Sequence, residues 1–160
     1  MSGRPRKAHM THQAKQPAAA DATRRALVKA ARAAAAAAYC PYSAYPVGAA
    51  LLAADGRVFT GCNVENVSYG LCNCAERTAL FKAVSEGCRA FAALAVAGGT
   101  ERAAAPCGAC RQVLAEFCAP DMPVFFARLN GGRVTASTVG GLLPHAFTEK
   151  LGARRRGEQP

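Results

Sequence analysis

The apolar and polar positions along the chain change period several times, and each change marks an element. Residues 22–38 are alanine-rich, and alanine is the strongest helix former; a helix is predicted there with Asp21 as its N-cap. Pro41 and Pro46 bracket a loop. Val47 to Ala54 is an apolar strand. Asp55-Gly56 is a hairpin signal, and Arg57 to Cys62 returns as a second strand. The polar, Asn-rich stretch 63–73 is predicted to be loop. Cys74 to Glu86 follows as a helix with Leu80, Phe81 and Val84 on one side and Gly87 in the C-terminal cap position. Phe91 to Ala97 is a third strand, and 98–106 a loop. A helix starting at Pro106-Cys107 turns Val113, Leu114 and Phe117 inward and stops at Pro120. Val124 to Ala127 is a fourth strand, Asn130-Gly131-Gly132 a turn, and Arg133 to Ala136 a short fifth strand. Thr138 is predicted to cap a short helix reaching Leu143. Strands alternating with helices imply one α/β domain with helices on the faces of a single sheet.

Composition adds bounds. Of 160 residues 51% are hydrophobic, but alanine alone supplies 38, so the larger apolar side chains suffice for one core and are thin for two. The chain has no run of 18 uncharged apolar residues, which excludes a span of that kind. The formal charge of +10 invites a nucleic-acid partner. Its distribution argues otherwise. Residues 1–32 carry eight Lys/Arg against Asp21 alone, residues 145–160 four against two Glu, and residues 33–144 eight against seven acids. The chemistry-bearing middle is near neutral, so no nucleic-acid or membrane partner is expected.

Residues 1–20 hold no Leu, Val, Ile or Phe and cannot bury a face. The expected organisation is a basic tail at 1–20, one domain at 21–150 and a second basic tail at 151–160. Localisation is expected to be cytoplasmic. The first 20 residues, basic and free of acids before an Ala/Arg-rich helix, are also compatible with a targeting peptide. Eight cysteines without an apolar secretory leader are expected to be reduced thiols, some of them holding metal.

The chemistry concentrates in Cys74-Ala75-Glu76 and Pro106-Cys107-Gly108-Ala109-Cys110. Cys107 and Cys110, three apart, share one helix face. Cys74 opens another helix. Unpaired N–H groups at helix starts favour thiolate, the metal-binding form. Two such starts meeting would give a tetrahedral Zn²⁺ three thiolates and leave its fourth position to water. A carboxylate at Glu76 is then placed to move protons. A C-x-x-C pair also occurs in structural zinc sites and redox motifs. A fourth ligand at Cys72 would make a poor knuckle, however, and would leave Glu76 without a function. Cys40, Cys62, Cys72, Cys88 and Cys118 are expected to be small apolar or semi-exposed residues. No metal role is expected for His9, His12 or His145.

The arrangement resembles the small, homotetrameric class of cytidine deaminase. The resemblance rests on Tyr39-Cys40-Pro41-Tyr42-Ser43, Val47-Gly48-Ala49-Ala50-Leu51, Gly61-Cys62-Asn63-Val64-Glu65-Asn66, Cys74-Ala75-Glu76-Arg77-Thr78-Ala79, Pro106-Cys107-Gly108-Ala109-Cys110-Arg111-Gln112 and Leu142-Leu143-Pro144 before Phe147. These stand in family order across about residues 22–150. The resemblance implies a three-layer α/β/α sandwich with a five-stranded mixed sheet. It implies one Zn²⁺ per subunit on Cys74, Cys107 and Cys110, with Glu76 as proton shuttle. It also implies that Asn63 and Glu65 take the ribose hydroxyls of cytidine or deoxycytidine. Tyr45 falls where the family often has Phe near the base. Tyr69 and Phe147 match positions that reach a neighbouring subunit's site, so the implied homotetramer shares its pockets. Arg77 matches an arginine of the family. Three thiolates overcompensate Zn²⁺, and an arginine donating to their sulfurs would offset the excess. A carboxylate at Glu65 accepts from a hydroxyl and repels a phosphate, which favours a free nucleoside over a polynucleotide. Deamination of a different base and a zinc module that binds nucleic acid are the competing functions. Asn63 and Glu65 argue against the first, and the near-neutral body against the second.

Overall fold

The computed structural model describes residues 17–148, a five-stranded sheet covered on both faces by helices. The elements are α1 (Pro17–Ala35), β1 (Val47–Ala53), β2 (Val58–Cys62), a 3₁₀ turn (Tyr69–Leu71), α2 (Ala75–Ser85), β3 (Phe91–Gly98), α3 (Gly108–Phe117), β4 (Pro123–Arg128), β5 (Gly131–Thr138) and α4 (Val139–Leu142). The strand order is β2-β1-β3-β4-β5. Only β3 and β4 pair in parallel; the other neighbours are antiparallel. The expected three-layer fold with a mixed sheet is therefore observed. Among the described residues no helix is long and apolar enough to cross a membrane.

Alternation along the strands divides the core in two. Ala49, Leu51 and Ala53 of β1, Leu94 and Val96 of β3, and Val124 of β4 face α2, α3 and α4. Ala50, Ala93, Ala95, Ala97 and Ala127 face α1, which answers with Leu27, Val28 and Ala31. The α1 face is thus paved with methyl groups, which lets the helix lie almost on the backbone. A Cβ added at Gly48 would stand 2.0 Å from the Ala31 carbonyl oxygen and 2.4 Å from the Ala35 nitrogen. The many alanines are the signature of this close layer. Gly48→Ala is expected to push α1 away and lower stability by about 3 kcal/mol, read as a fall in the urea midpoint at unchanged slope.

The structure differs from the sequence expectations at identifiable places. Helix α1 begins at Pro17, inside the stretch expected to be tail. Proline's fixed φ suits the first helical position. Asp21 is therefore no N-cap; its carboxylate accepts from Arg24 and Arg25 one turn on. The α-helix stops at Ala35, and residues 36–38 continue with tighter bonds to the third residue back. The rest of the two expected tails, residues 1–16 and 149–160, lies outside the described residues. Phe81 does not face the core but is 47% exposed, because Ala75, Ala79 and Ala83 take the inner side of α2 beside Leu80. Gly131 and Gly132 do not form the last turn; they open β5 with φ of 100° and 84°. Gly87 (φ 82°) follows α2 as expected, and Thr138 Oγ1 accepts from Gly141 N to cap α4.

Topology decides where the site forms. Strands β2 and β3 are both antiparallel to β1, so they run the same way and end at the same sheet edge. The chain leaves β2 for α2 and β3 for α3, which brings both helix N-termini to that edge. The loop before β1 arrives there too, because Val47 pairs with Gly98 at the end of β3. A crevice beyond the carboxyl ends of such strands is where open α/β sheets hold ligands.

Candidate active site

Cys74 is the N-cap of α2 and Cys107 the N-cap of α3, both with extended backbone and with neither side chain used for capping. Cys110 lies in the first turn of α3 and is fully buried. The three sulfurs lie within 4.8 Å of one another, and those of Cys74 and Cys107 are 3.7 Å apart. A tetrahedron with Zn–S arms of about 2.3 Å has edges of about 3.8 Å, so the spacing suits the ion. The donor set suits it chemically. The hydrogen bond from the Cys110 thiol, with help from Arg77 and Cys107 and against burial, draws the Cys74 thiol down to about 5. That same bond, burial and the nearby Glu76 hold the Cys110 thiol well above its usual range. One thiolate therefore forms readily and the next is resisted by like charge. A dication between the sulfurs relieves that conflict.

Local bonds hold the ligands in place. Arg77 Nη2 donates to the Cys74 sulfur at 3.7 Å and to the Cys72 carbonyl at 3.2 Å. Thr78 Oγ1 donates to the Cys74 carbonyl and accepts from Asn73 Nδ2. Arg111 ties the turn before Cys107 to the end of α4, donating to Pro106 O at 2.7 Å and Leu142 O at 2.8 Å. Thr78 and Arg111 were not singled out from the sequence. Their only signal there is membership of the stretches beginning at Cys74 and Pro106.

Glu76 sits one turn into the same constellation and is 4% exposed. Burial raises its carboxyl above the ordinary carboxylate range, and the Cys74 thiolate acts in the same direction. A carboxyl held there takes and returns a proton more readily near neutral pH than an exposed one.

A cavity of about 350 Å³ opens beside these groups. Cys74, Glu76 and Cys107 line it together with Ser43, Asn63 and Glu65, and Tyr45, Val47 and Val96 supply apolar wall. Asn63 Oδ1 accepts from Val47 N at 2.8 Å, and its Nδ2 donates to Tyr45 O at 3.0 Å. Glu65 accepts from Tyr42 N, Ser43 N and the Ser43 hydroxyl. The Ser43 hydroxyl is the main reason its carboxyl stays below the usual range. The sequence expectation thus brings Tyr45, Asn63, Glu65, Cys74, Glu76 and Cys107 to one cavity, with Cys110 and Arg77 behind it. Tyr69 and Phe147 are not part of it. They are 71% and 63% exposed, Tyr69 edge-on to Tyr42 and the Phe147 carbonyl held by Gln112 Nε2 at 2.6 Å.

Comparison with known proteins agrees with this geometry. The family described as "Cytidine and deoxycytidylate deaminase zinc-binding region" matches residues 21–126. A cytidine deaminase of Sporosarcina psychrophila is 58% identical over 113 residues, covering 71% of this chain and 82% of that protein. One from Halalkalibacterium halodurans is 56% identical over 125 residues, covering 78% and 94%. The crystal structure of cytidine deaminase from Burkholderia pseudomallei superimposes with a TM-score of 0.74 at 56% identity, over 77% of this chain and 98% of that one. The Mycobacterium tuberculosis enzyme gives 0.68 at 45%, over 78% and 97%. With a matching family region, these relatives and the three-thiol cluster between two helix starts, the chain belongs to the cytidine and deoxycytidylate deaminase family.

Proposed function

We propose that the protein is a zinc-dependent hydrolase that deaminates cytidine and 2'-deoxycytidine to uridine and 2'-deoxyuridine, with release of ammonia. One observation carries this reading: a buried carboxyl, Glu76, shares a cavity with Cys74 and Cys107 of the three-sulfur cluster and with the polar side chains of Asn63 and Glu65. Incubation with cytidine should give uridine and ammonia in equal amounts. No turnover of cytidine or deoxycytidine by zinc-loaded protein would reject the reading.

Cys74, Cys107 and Cys110 would hold the zinc. When bound, it supplies a Lewis acid that makes a neighbouring water acidic near neutral pH. Glu76 takes a proton from the attacking water and passes it to N3 of the base. The oxygen adds at C4, giving a tetrahedral carbon. Glu76 then takes the proton of the new C4 hydroxyl and delivers it to the amine, the C–N bond breaks with ammonia leaving, and the carbonyl of uracil remains. Asn63 and Glu65 hold the sugar, and Tyr45 lines the base side. Arg77 offsets the negative charge of the thiolates. Arg77→Ala is expected to lower turnover about tenfold while zinc content, by metal analysis, stays near one per chain; unchanged turnover would remove this role.

The assembly is proposed to be a homotetramer with shared sites. In support, Val67, Tyr69, Leu71, Phe81 and Phe147 are large apolar side chains left exposed on one chain. Tyr69 and Phe147 would then complete a neighbour's pocket. A cytoplasmic place in pyrimidine salvage fits the substrate class and the eight cysteines, which are all free thiols. The proposed organisation is one deaminase domain, expected over residues 21–150 and extended at its start to Pro17 by α1, between basic tails.

A further inference from the structure

Ser43 lines the cavity together with Asn63 and Glu65, the pair proposed to hold the sugar. Its hydroxyl donates to Glu65 Oε1 and accepts from Tyr45 N at 3.0 Å. Its own N–H donates to Glu65 Oε2 at 3.2 Å, beside that of Tyr42 at 2.9 Å. The segment is a tight loop in which Ala44 has φ of 51°, a left-handed conformation that a residue with a Cβ rarely adopts. Asn63 closes the loop from the other side through Tyr45 O and Val47 N. A hydroxyl has one proton to give, and here it goes to Glu65, so Ser43 joins the carboxylate to the backbone of Tyr45.

We propose that Ser43 is a positioning residue for sugar recognition, fixing the Glu65 carboxylate so that one acceptor site faces the substrate. A carboxylate offers about four lone-pair sites. Ser43 and Tyr42 take three of Glu65's, with both oxygens engaged. One site is left for one sugar hydroxyl. The 3'-hydroxyl is the ring hydroxyl that ribose and 2'-deoxyribose have in common, and Glu65 therefore takes that one. Without the Ser43 hydroxyl, Oε1 is free to turn and hydrate, and the loop end at Tyr45 loses its tie.

This rests on the nucleoside reading of the site, and the test separates the two. kcat and KM are measured with 2'-deoxycytidine and 2',3'-dideoxycytidine, which differ only in the 3'-hydroxyl. Wild-type protein that turns over neither nucleoside rejects the functional reading and this inference with it, before any variant is made. With wild-type turnover present, kcat/KM should favour deoxycytidine by about tenfold to a hundredfold, the range for a hydrogen bond to a charged group. Ser43→Ala and Ser43→Val should each reduce that preference at least about fivefold, through KM for deoxycytidine and with little change for the dideoxy compound. Ser43→Thr, which has the shape of valine and keeps the hydroxyl, should retain it. A purely structural role would lower activity on both nucleosides together. A preference that stays within fivefold of wild type in Ser43→Ala or Ser43→Val, or is lost equally in Ser43→Thr, overturns the proposal.

Discussion

Glu76→Gln is expected to lower kcat about 10⁴-fold, the upper end of what general acid–base catalysis contributes, while the protein folds and binds zinc as before. The substitution keeps volume and helix position and removes only the titrating group. Glu76 lies in the first turn of α2, buried against Cys74 and Cys110, and no second buried carboxyl lies among the described residues. The expected loss is large because the same group serves the attack and the departure of the amine. Zinc content should remain near one per chain, since the three sulfurs are untouched. Thermal stability should hold or rise slightly, because a buried carboxyl raised by desolvation is exchanged for a neutral amide. Steady-state rates paired with metal analysis read both quantities. A kcat within about tenfold of wild type would assign the proton transfers elsewhere.

Cys110→Ala should remove activity by another route. Cys110 is fully buried in the first turn of α3, its sulfur clustered with those of Cys74 and Cys107, and its loss leaves two ligands. Zinc content after dialysis is expected to fall well below one per chain, turnover to drop about 10³-fold or more, and Tm to fall. Structural zinc sites are worth about 10–16 kcal/mol in small peptides, so losing one of three ligands forfeits several kcal/mol of affinity. Cys118→Ala is the matched control. That thiol is also buried, in the α3–α4 core, but burial alone pushes it up to about 12, and it stands outside the sulfur cluster. It should keep its zinc and its rate. Equal zinc loss in both variants would mean that destabilisation, and not ligation, explains Cys110.

The zinc-proximal part of this site was legible in the sequence because local rules govern it. A three-residue spacing puts Cys107 and Cys110 on one face, and the onset of the helical pattern after Cys74 and after Pro106 places Cys74 and Cys107 at helix starts. The sheet was legible because β1 and β3 are continuous apolar runs between turn signals. Phe81 was misplaced for a physical reason. Periodicity weights a phenyl ring above a methyl group, but α2 approaches β2 so closely that a Cβ at Gly61 would stand 2.5 Å from Ala79 N. Alanines take the positions closest to the strand, with Leu80 beside them, and the ring is left outside. Asp21 was misplaced because alanines on both sides extend the helix past a good cap residue. Ser43 carried no signal of its own. Its partner Glu65 is 22 residues away, and only the fold brings them together.

The central claim is that three thiols hold one zinc beside Glu76 to deaminate a free nucleoside. Zinc titration of metal-free protein, followed by the loss of cytidine absorbance, tests it most directly. The rate should rise linearly with added zinc, saturate at one equivalent per chain and be abolished again by a chelator. Full turnover in metal-free protein, or saturated zinc with no loss of cytidine, would contradict it.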